Sequence, residues 1–154
     1  MDNATPQRLH TLLMELVRLA GLLQVENTLP GQSLSLSQSF TLHELDRPIP
    51  PSQQDLAERL RLEKSTVSRL AADLERRGLV VRERDPGNRR FYRLRLTDQG
   101  RALHAEISAG FDAHYQQWVS MMTGTERDAL VTGLAALVRA MRERPISHEH
   151  HTGG

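Results

Sequence analysis

The stretch SQQDLAERLRLEKSTVSRLAADLERRG, residues 52–78, decides the fold. Ser52 followed three residues later by Asp55 is a capping-box-like start, and Leu56, Leu60 and Leu62 supply the apolar positions of a short helix ending near Leu60. A tight turn follows. From Ser65 to Arg77 the residues Val67, Leu70, Ala71 and Leu74 share one helical face, while Ser65, Thr66, Ser68, Arg69 and Asp73 lie away from it. Gly78 stands where a left-handed C-terminal residue belongs. Two helices joined this tightly, the second exposing small hydroxyls and an arginine in its first turns, have the form of a helix-turn-helix. Short side chains let a helix N-terminus enter a major groove closely, and Arg69 can then reach a base or a phosphate.

Downstream, residues 79–84 and 89–96 flank Asp85-Pro86-Gly87-Asn88, which predicts a β-hairpin with Tyr92, Leu94 and Leu96 on one side. Its other side and tip carry Arg89, Arg90, Arg93 and Arg95, so the hairpin reads as a wing that can place a guanidinium in a narrow minor groove. Thr97 caps a long helix whose Leu103, Ile107, Phe111, Tyr115, Trp118 and Met122 recur at steps of three and four. Thr125 and Asp128 form a further capping-box-like start, and Leu130, Leu134, Leu137, Val138 and Met141 predict a last amphipathic helix ended by Pro145. Upstream, Thr5-Pro6 opens a first helix running to about Asn27, with more apolar surface than one small subunit can cover. Leu36, Phe40, Leu42 and Leu45 predict a shorter second helix, closed by Pro48, Pro50 and Pro51.

The composition agrees with this outline. The 154 residues suffice for one compact subunit, and 38% apolar with 25% charged residues excludes a disordered acidic tail. No apolar run approaches a membrane span, and the start lacks a secretory pattern, so a cytoplasmic address and no membrane partner are expected. The absence of cysteine excludes a disulfide scaffold, a Cys-ligated zinc, a thiol nucleophile and a thiol redox sensor. No Gly-rich phosphate loop, nucleophile elbow or carboxylate pair on an apolar wall points to an enzyme. The net charge of +1 hides an asymmetry: residues 59–101 hold thirteen cations against six acids, and the remainder seven against thirteen. All the cations but Lys64 are arginine, whose planar fork suits phosphate and base edges.

On these residues the chain resembles the MarR family of bacterial winged helix-turn-helix regulators, over nearly its whole length and most specifically between Gln53 and Thr97. Ser65-Thr66-Val67-Ser68-Arg69-Leu70 with Leu74-Glu75-Arg76-Arg77-Gly78 resembles the family's helix-turn-helix core, and Asp85-Pro86-Gly87-Asn88-Arg89-Arg90 its wing. The family's wing usually carries an acid where this chain has Asn88. The resemblance implies a mainly α fold, a winged helix-turn-helix with N- and C-terminal dimerisation helices. It also implies an obligate homodimer on a pseudo-palindromic double-stranded DNA operator, and a small aromatic or phenolic anion that releases it. The expected divisions are 1–47 for the first two helices, 48–97 for the DNA-binding module, 98–145 for the long and last helices, and 146–154 for a disordered tail.

The candidate DNA-contacting residues are Lys64, Ser65, Thr66, Ser68, Arg69, Arg76, Arg89 and Arg90. Arg76 and Arg77 fit equally a helix C-terminus that favours cations. Arg18, His43, Tyr115 and Trp118 are candidates for a ligand pocket, although an aromatic stripe at helical spacing also suits plain core. The His148, Glu149, His150 and His151 cluster lacks a capped element to orient it, so neither metal nor cofactor is expected. The competing reading is a winged-helix protein-interaction module without a DNA site, against which the basic centre argues.

Overall fold

The computed structural model describes residues 4–21 and 34–145. Helix α1 spans Ala4–Leu19, α2 Leu36–Leu45, α3 Gln53–Leu60 and α4 Lys64–Arg76; strands β1, Val80–Arg84, and β2, Tyr92–Leu96, follow; α5 spans Asp98–Ser120 and α6 Gly124–Glu143. The chain forms two compact units, Met1–Gly110 and Phe111–Gly154, divided within the continuous α5. The tail histidines lie outside the described residues; the first helix, expected to run to about Asn27, instead ends at Leu19, where Ala20 and Gly21 form a turn with Gly21 at φ 69°.

Helices α2 and α3 begin where their side chains can hold the first free N–H groups, whereas Glu63 at the start of α4 makes no such side-chain bond. Ser52 Oγ accepts from Asp55 N at 3.0 Å, and Asp55 Oδ2 accepts in return from Ser52 N, the reciprocal box the spacing predicts. Ser35 and Gln38 form a second such box on α2. The α3–α4 turn closes on Arg61 in the left-handed region at φ 52°, a conformation unfavourable for a side chain bearing a Cβ. At the last helix the pattern Thr-Gly-Thr-Glu-Arg-Asp offers two overlapping boxes. The expectation of Thr125 with Asp128 is corrected: Thr123 and Glu126 form the box, and α6 starts at Gly124.

The core of the first unit is built from Leu34, Leu42 and Leu45, Leu56 and Ala57, Val67, Ala71 and Leu74, Leu79 and Val80, Leu94 and Leu96, and Ile107. Leu36 and Phe40 are not part of it. At 100° per residue they fall on the side of α2 opposite Leu45, and both are exposed. Their places are taken by Ser39 and Thr41, the latter donating from its hydroxyl to Ser37 O at 2.8 Å. α1 and α6 bury none of their residues within the chain.

One junction positions the module's parts. Thr97 N donates to Leu79 O at 3.1 Å, its Oγ1 donates to Gly78 O at 2.6 Å, and the same hydroxyl accepts from Gly100 N at 3.0 Å. The end of α4, the start of β1 and the first turn of α5 thus share one hydroxyl. Gly78 takes the left-handed φ of 72° that the sequence predicts. Gly100 lies so close to β1 that a Cβ there would stand 1.9 Å from the Leu79 carbonyl oxygen.

The wing is an antiparallel pair in which Val80 faces Leu96 and Arg84 faces Tyr92, with an isolated antiparallel bridge from Ser52 to Arg93. Its tip is organised by Asp85. One carboxylate oxygen accepts from Gly87 N at 2.7 Å and Asn88 N at 3.3 Å; the other accepts from Arg93 Nε at 2.6 Å. Arg95 pairs with Glu83 at 2.6 Å. Arg93 and Arg95 are therefore committed within the wing, not offered from it, and Asp85 supplies the acid that Asn88 lacks. Asn88 Oδ1 instead accepts from Arg90 N at 3.2 Å.

Two outcomes follow from this packing. Gly100→Ala should cost about 2–3 kcal/mol at fixed protein concentration, because the Leu79 backbone already occupies the place of the added methyl; urea unfolding checks this, and an unchanged midpoint contradicts it. The Gly87 N–H, then Arg93, hold the Asp85 carboxyl below the ordinary carboxylate value of 3.8. Its contribution to wing stability is thus present above that value and lost as pH falls through the lower folded pKa. A ¹³C titration of the Asp85 carboxyl should place the midpoint below 3.8, whereas a midpoint at or above it contradicts the pinned tip.

Candidate nucleic-acid interface

α4 separates its faces sharply. Val67, Ala71 and Leu74 are buried, Lys64, Ser65 and Arg69 are exposed, and Thr66 and Ser68 are half-buried at the margin. Thr66, Arg69, Asp73 and Arg76 recur at steps of three and four, so one stripe carries alternating hydroxyl, cation, acid and cation. Arg69 Nη2 lies 3.5 Å from Thr66 Oγ1, a long contact that leaves most of the guanidinium's donors to solvent. Arg76 forms an ion pair with Asp73. Of the expected α4 contacts, Lys64, Ser65 and Arg69 are the open ones, while Arg76 reaches outward only by leaving a carboxylate.

At the wing the same sorting applies. Arg84 Nη1 donates to Arg89 O at 2.6 Å, and its guanidinium lies 5.0 Å from the Tyr92 ring centre, with Arg82 at 6.0 Å on the same ring. Arg93 and Arg95 hold their acids. The Arg89 and Arg90 side chains are exposed, and among the described residues neither has an acidic partner within ion-pair distance. The wing thereby directs its uncommitted cations to the tip.

Arg82 and Arg84 escape the sequence reading as tip braces. The available signal was strand alternation, since Arg82, Arg84 and Tyr92 share a face once Arg84 pairs with Tyr92.

Of the expected ligand residues, Arg18 and His43 belong to the first unit and Tyr115 and Trp118 to the second. Arg18 pairs with Glu15 at 3.5 Å on the surface of α1. The His43 ring lies 5.6 Å from that of His104, whose Nδ1 is 3.1 Å from Asp46 Oδ2. In the second unit Tyr115 meets Trp118 edge-on at 5.8 Å and stacks with Phe111 at 6.1 Å, both Tyr115 and Trp118 being about half exposed. Among the described residues no group of three or more His, Asp or Glu could hold a metal ion. No described helix is long and apolar enough to cross a membrane.

Residues 32–90 match the profile of the MarR family. A protein named as a transcriptional regulator for the hcr operon of Thauera aromatica is 31% identical over 62% of this chain and 58% of its own length. The transcriptional repressor MdtR of Bacillus subtilis is 30% identical over 62% of this chain and 61% of its own. The chain thus spans about three-fifths of the length of the relatives it matches. In fold, Streptococcus pneumoniae FabT, solved in complex with DNA, superposes with a TM-score of 0.80 at 23% identity, covering 89% of this chain and 97% of that one. Residues 32–90 are thus similar to the MarR family, and the chain shares the fold of FabT over nearly its full length.

Proposed function

We propose that the chain is a sequence-specific double-stranded DNA-binding transcriptional regulator, a homodimeric repressor on a pseudo-palindromic operator. The observation that carries this reading is the placement of uncommitted cations. Arg69 and Lys64 lie on the open face of α4 and Arg89 and Arg90 at the wing tip, while Arg84, Arg93 and Arg95 are tied within the wing. Ser65, Thr66, Ser68 and Arg69 would read the major groove and Arg89 or Arg90 the flanking minor groove. Arg76 would add a phosphate contact. A repressor role takes its support from the name of the Bacillus subtilis relative.

Dimerisation is supported by the apolar stripes of α1 and α6. Leu12 and Leu16 are 56% and 59% exposed and Leu134 52% exposed, more apolar surface than a lone chain carries without a partner. A second copy covers both stripes in this reading. Release by a small aromatic or anionic ligand is the finer part, resting on the exposed Tyr115 and Trp118. Such a ligand acts only through its preference for a DNA-incompetent state, so a hundredfold release needs about 2.7 kcal/mol of differential binding.

Fluorescence anisotropy tests the reading on a duplex selected by the wild-type chain from a randomised pool. Arg69→Ala should weaken binding by about 1–3 kcal/mol and relax one position per half-site. Arg89→Ala and Arg90→Ala should act mainly through A·T-rich flanks. Binding that is insensitive to salt between about 50 and 200 mM, with no retention on heparin, contradicts the proposal and favours a protein-interaction module. Sedimentation at low micromolar concentration should give a dimer, and a well-folded monomer there contradicts the interface. A small aromatic carboxylate should weaken operator binding while hydrogen peroxide does not, because no thiol is present to oxidise.

A further inference from the structure

A side chain remote in sequence from the DNA-binding residues touches the recognition helix at a point that the proposed function does not use. Gln38, at the third position of α2, engages three partners at once through its amide. Its Oε1 accepts from Ser35 N at 2.9 Å, closing the α2 capping box, and lies 3.4 Å from the donor Arg77 Nη1 just beyond α4. Its Nε2 donates to Asp73 Oδ2 on α4 at 2.5 Å. The other oxygen of Asp73 holds Arg76. Gln38 and Asp73 also line, with Thr66, Arg69 and Leu70, one shallow groove along the proposed DNA-reading stripe.

The amide has only one workable orientation. Turned over, its NH₂ would meet the Ser35 N–H and the Arg77 guanidinium, donor against donor, and its oxygen would meet the Asp73 carboxylate. Glutamate at this position would still close the capping box, since a capping box accepts either residue. It would, however, set a carboxylate against Asp73 at hydrogen-bond distance. The contact therefore separates two roles that alanine substitution would confuse: capping α2 and seating α4.

We propose that Gln38 is the positioning residue of the recognition helix, fixing the seat of α4 against α2 through Asp73 and thereby setting specificity for DNA without touching it. The inference rests on the DNA-binding reading above. Asp73 serves as the shared anchor: it takes the Gln38 amide on one oxygen and restrains Arg76 with the other, so loss of the Gln38 contact shifts both the helix and its cation.

The test compares the wild-type chain, Gln38→Glu, Asp73→Asn and the double variant Gln38→Glu/Asp73→Asn. Two probes are used, the duplex selected by the wild type and a random-sequence duplex of the same length. Gln38→Glu should lower the ratio of specific to non-specific affinity by about tenfold while random-duplex binding changes little, because phosphate attraction survives a misplaced helix and base readout does not. In the double variant donor and acceptor exchange sides, the amide now on α4 donating to the carboxylate now on α2, and the ratio should recover at least in part. A chain that merely unfolds loses both affinities together, and circular dichroism of each variant separates that outcome. An unchanged ratio in Gln38→Glu, equal loss on both probes in a folded variant, or no recovery in a folded double variant overturns the inference. Absence of any sequence preference in the wild type overturns instead the reading on which it rests.

Discussion

The close approach of α5 to Leu79 at Gly100 is the constraint on which the winged module depends. No side chain fits between the two backbones, and the Thr97 hydroxyl spans the space by donating to Gly78 O and accepting from Gly100 N. Helix α4 ends, the wing begins and α5 starts within hydrogen-bonding reach of one another. Because the hairpin is short and only two-stranded, it would be marginal alone. It is held by this junction at its base, by the backbone bridge from Ser52, and by the burial of Val80, Leu94 and Leu96.

Charge in this chain is better understood by commitment than by count. The basic centre seen in the sequence is thirteen cations strong, yet several are occupied in holding the protein's own shape. Arg93 and Arg95 fasten the wing through Asp85 and Glu83, Arg84 braces the tip carbonyl of Arg89, and Arg76 is held by Asp73. Exposed pairs of this kind add little to stability, but they decide which guanidinium groups remain available to a polyanion. Those include Arg69 on the outer face of α4 and Arg89 and Arg90 at the wing tip, with Arg61 and Arg101 exposed elsewhere in the basic region. The acids therefore shape the interface as much as the arginines do.

Much of the fold was legible because it is locally encoded. The Ser52–Asp55 box, the left-handed Gly78, the hairpin around Asp85-Pro86-Gly87-Asn88 and the cap at Thr97 each follow from neighbouring residues. The exposure of Ser65 and Arg69 on α4, and of Arg89 and Arg90 at the hairpin turn, was legible for the same reason. What periodicity could not give is pairing across distance. Gln38 and Asp73 lie 35 residues apart, and nothing in either segment announces the other. The overlapping Thr123 and Thr125 boxes present the converse case, two local patterns between which only the folded helix start decides. Leu36 and Phe40 fit a helical spacing but on the face away from the core. The expected ligand residues depend on how distant segments come together, which one-dimensional spacing does not specify.

The claim at the centre of this account is that DNA is met by the uncommitted arginines and not by the basic region as a whole. Arginine Nε–H and backbone amide resonances, followed as the selected duplex is added to the protein, test it most directly. The account predicts large shifts at residues 65–69 and at the side chains of Arg69, Arg89 and Arg90, with the Arg93 and Arg95 Nε–H signals nearly unmoved because Asp85 and Glu83 retain them. Shifts that spread evenly over all the arginines of residues 59–101, or that centre on Arg93 and Arg95 while α4 stays unchanged, would contradict it.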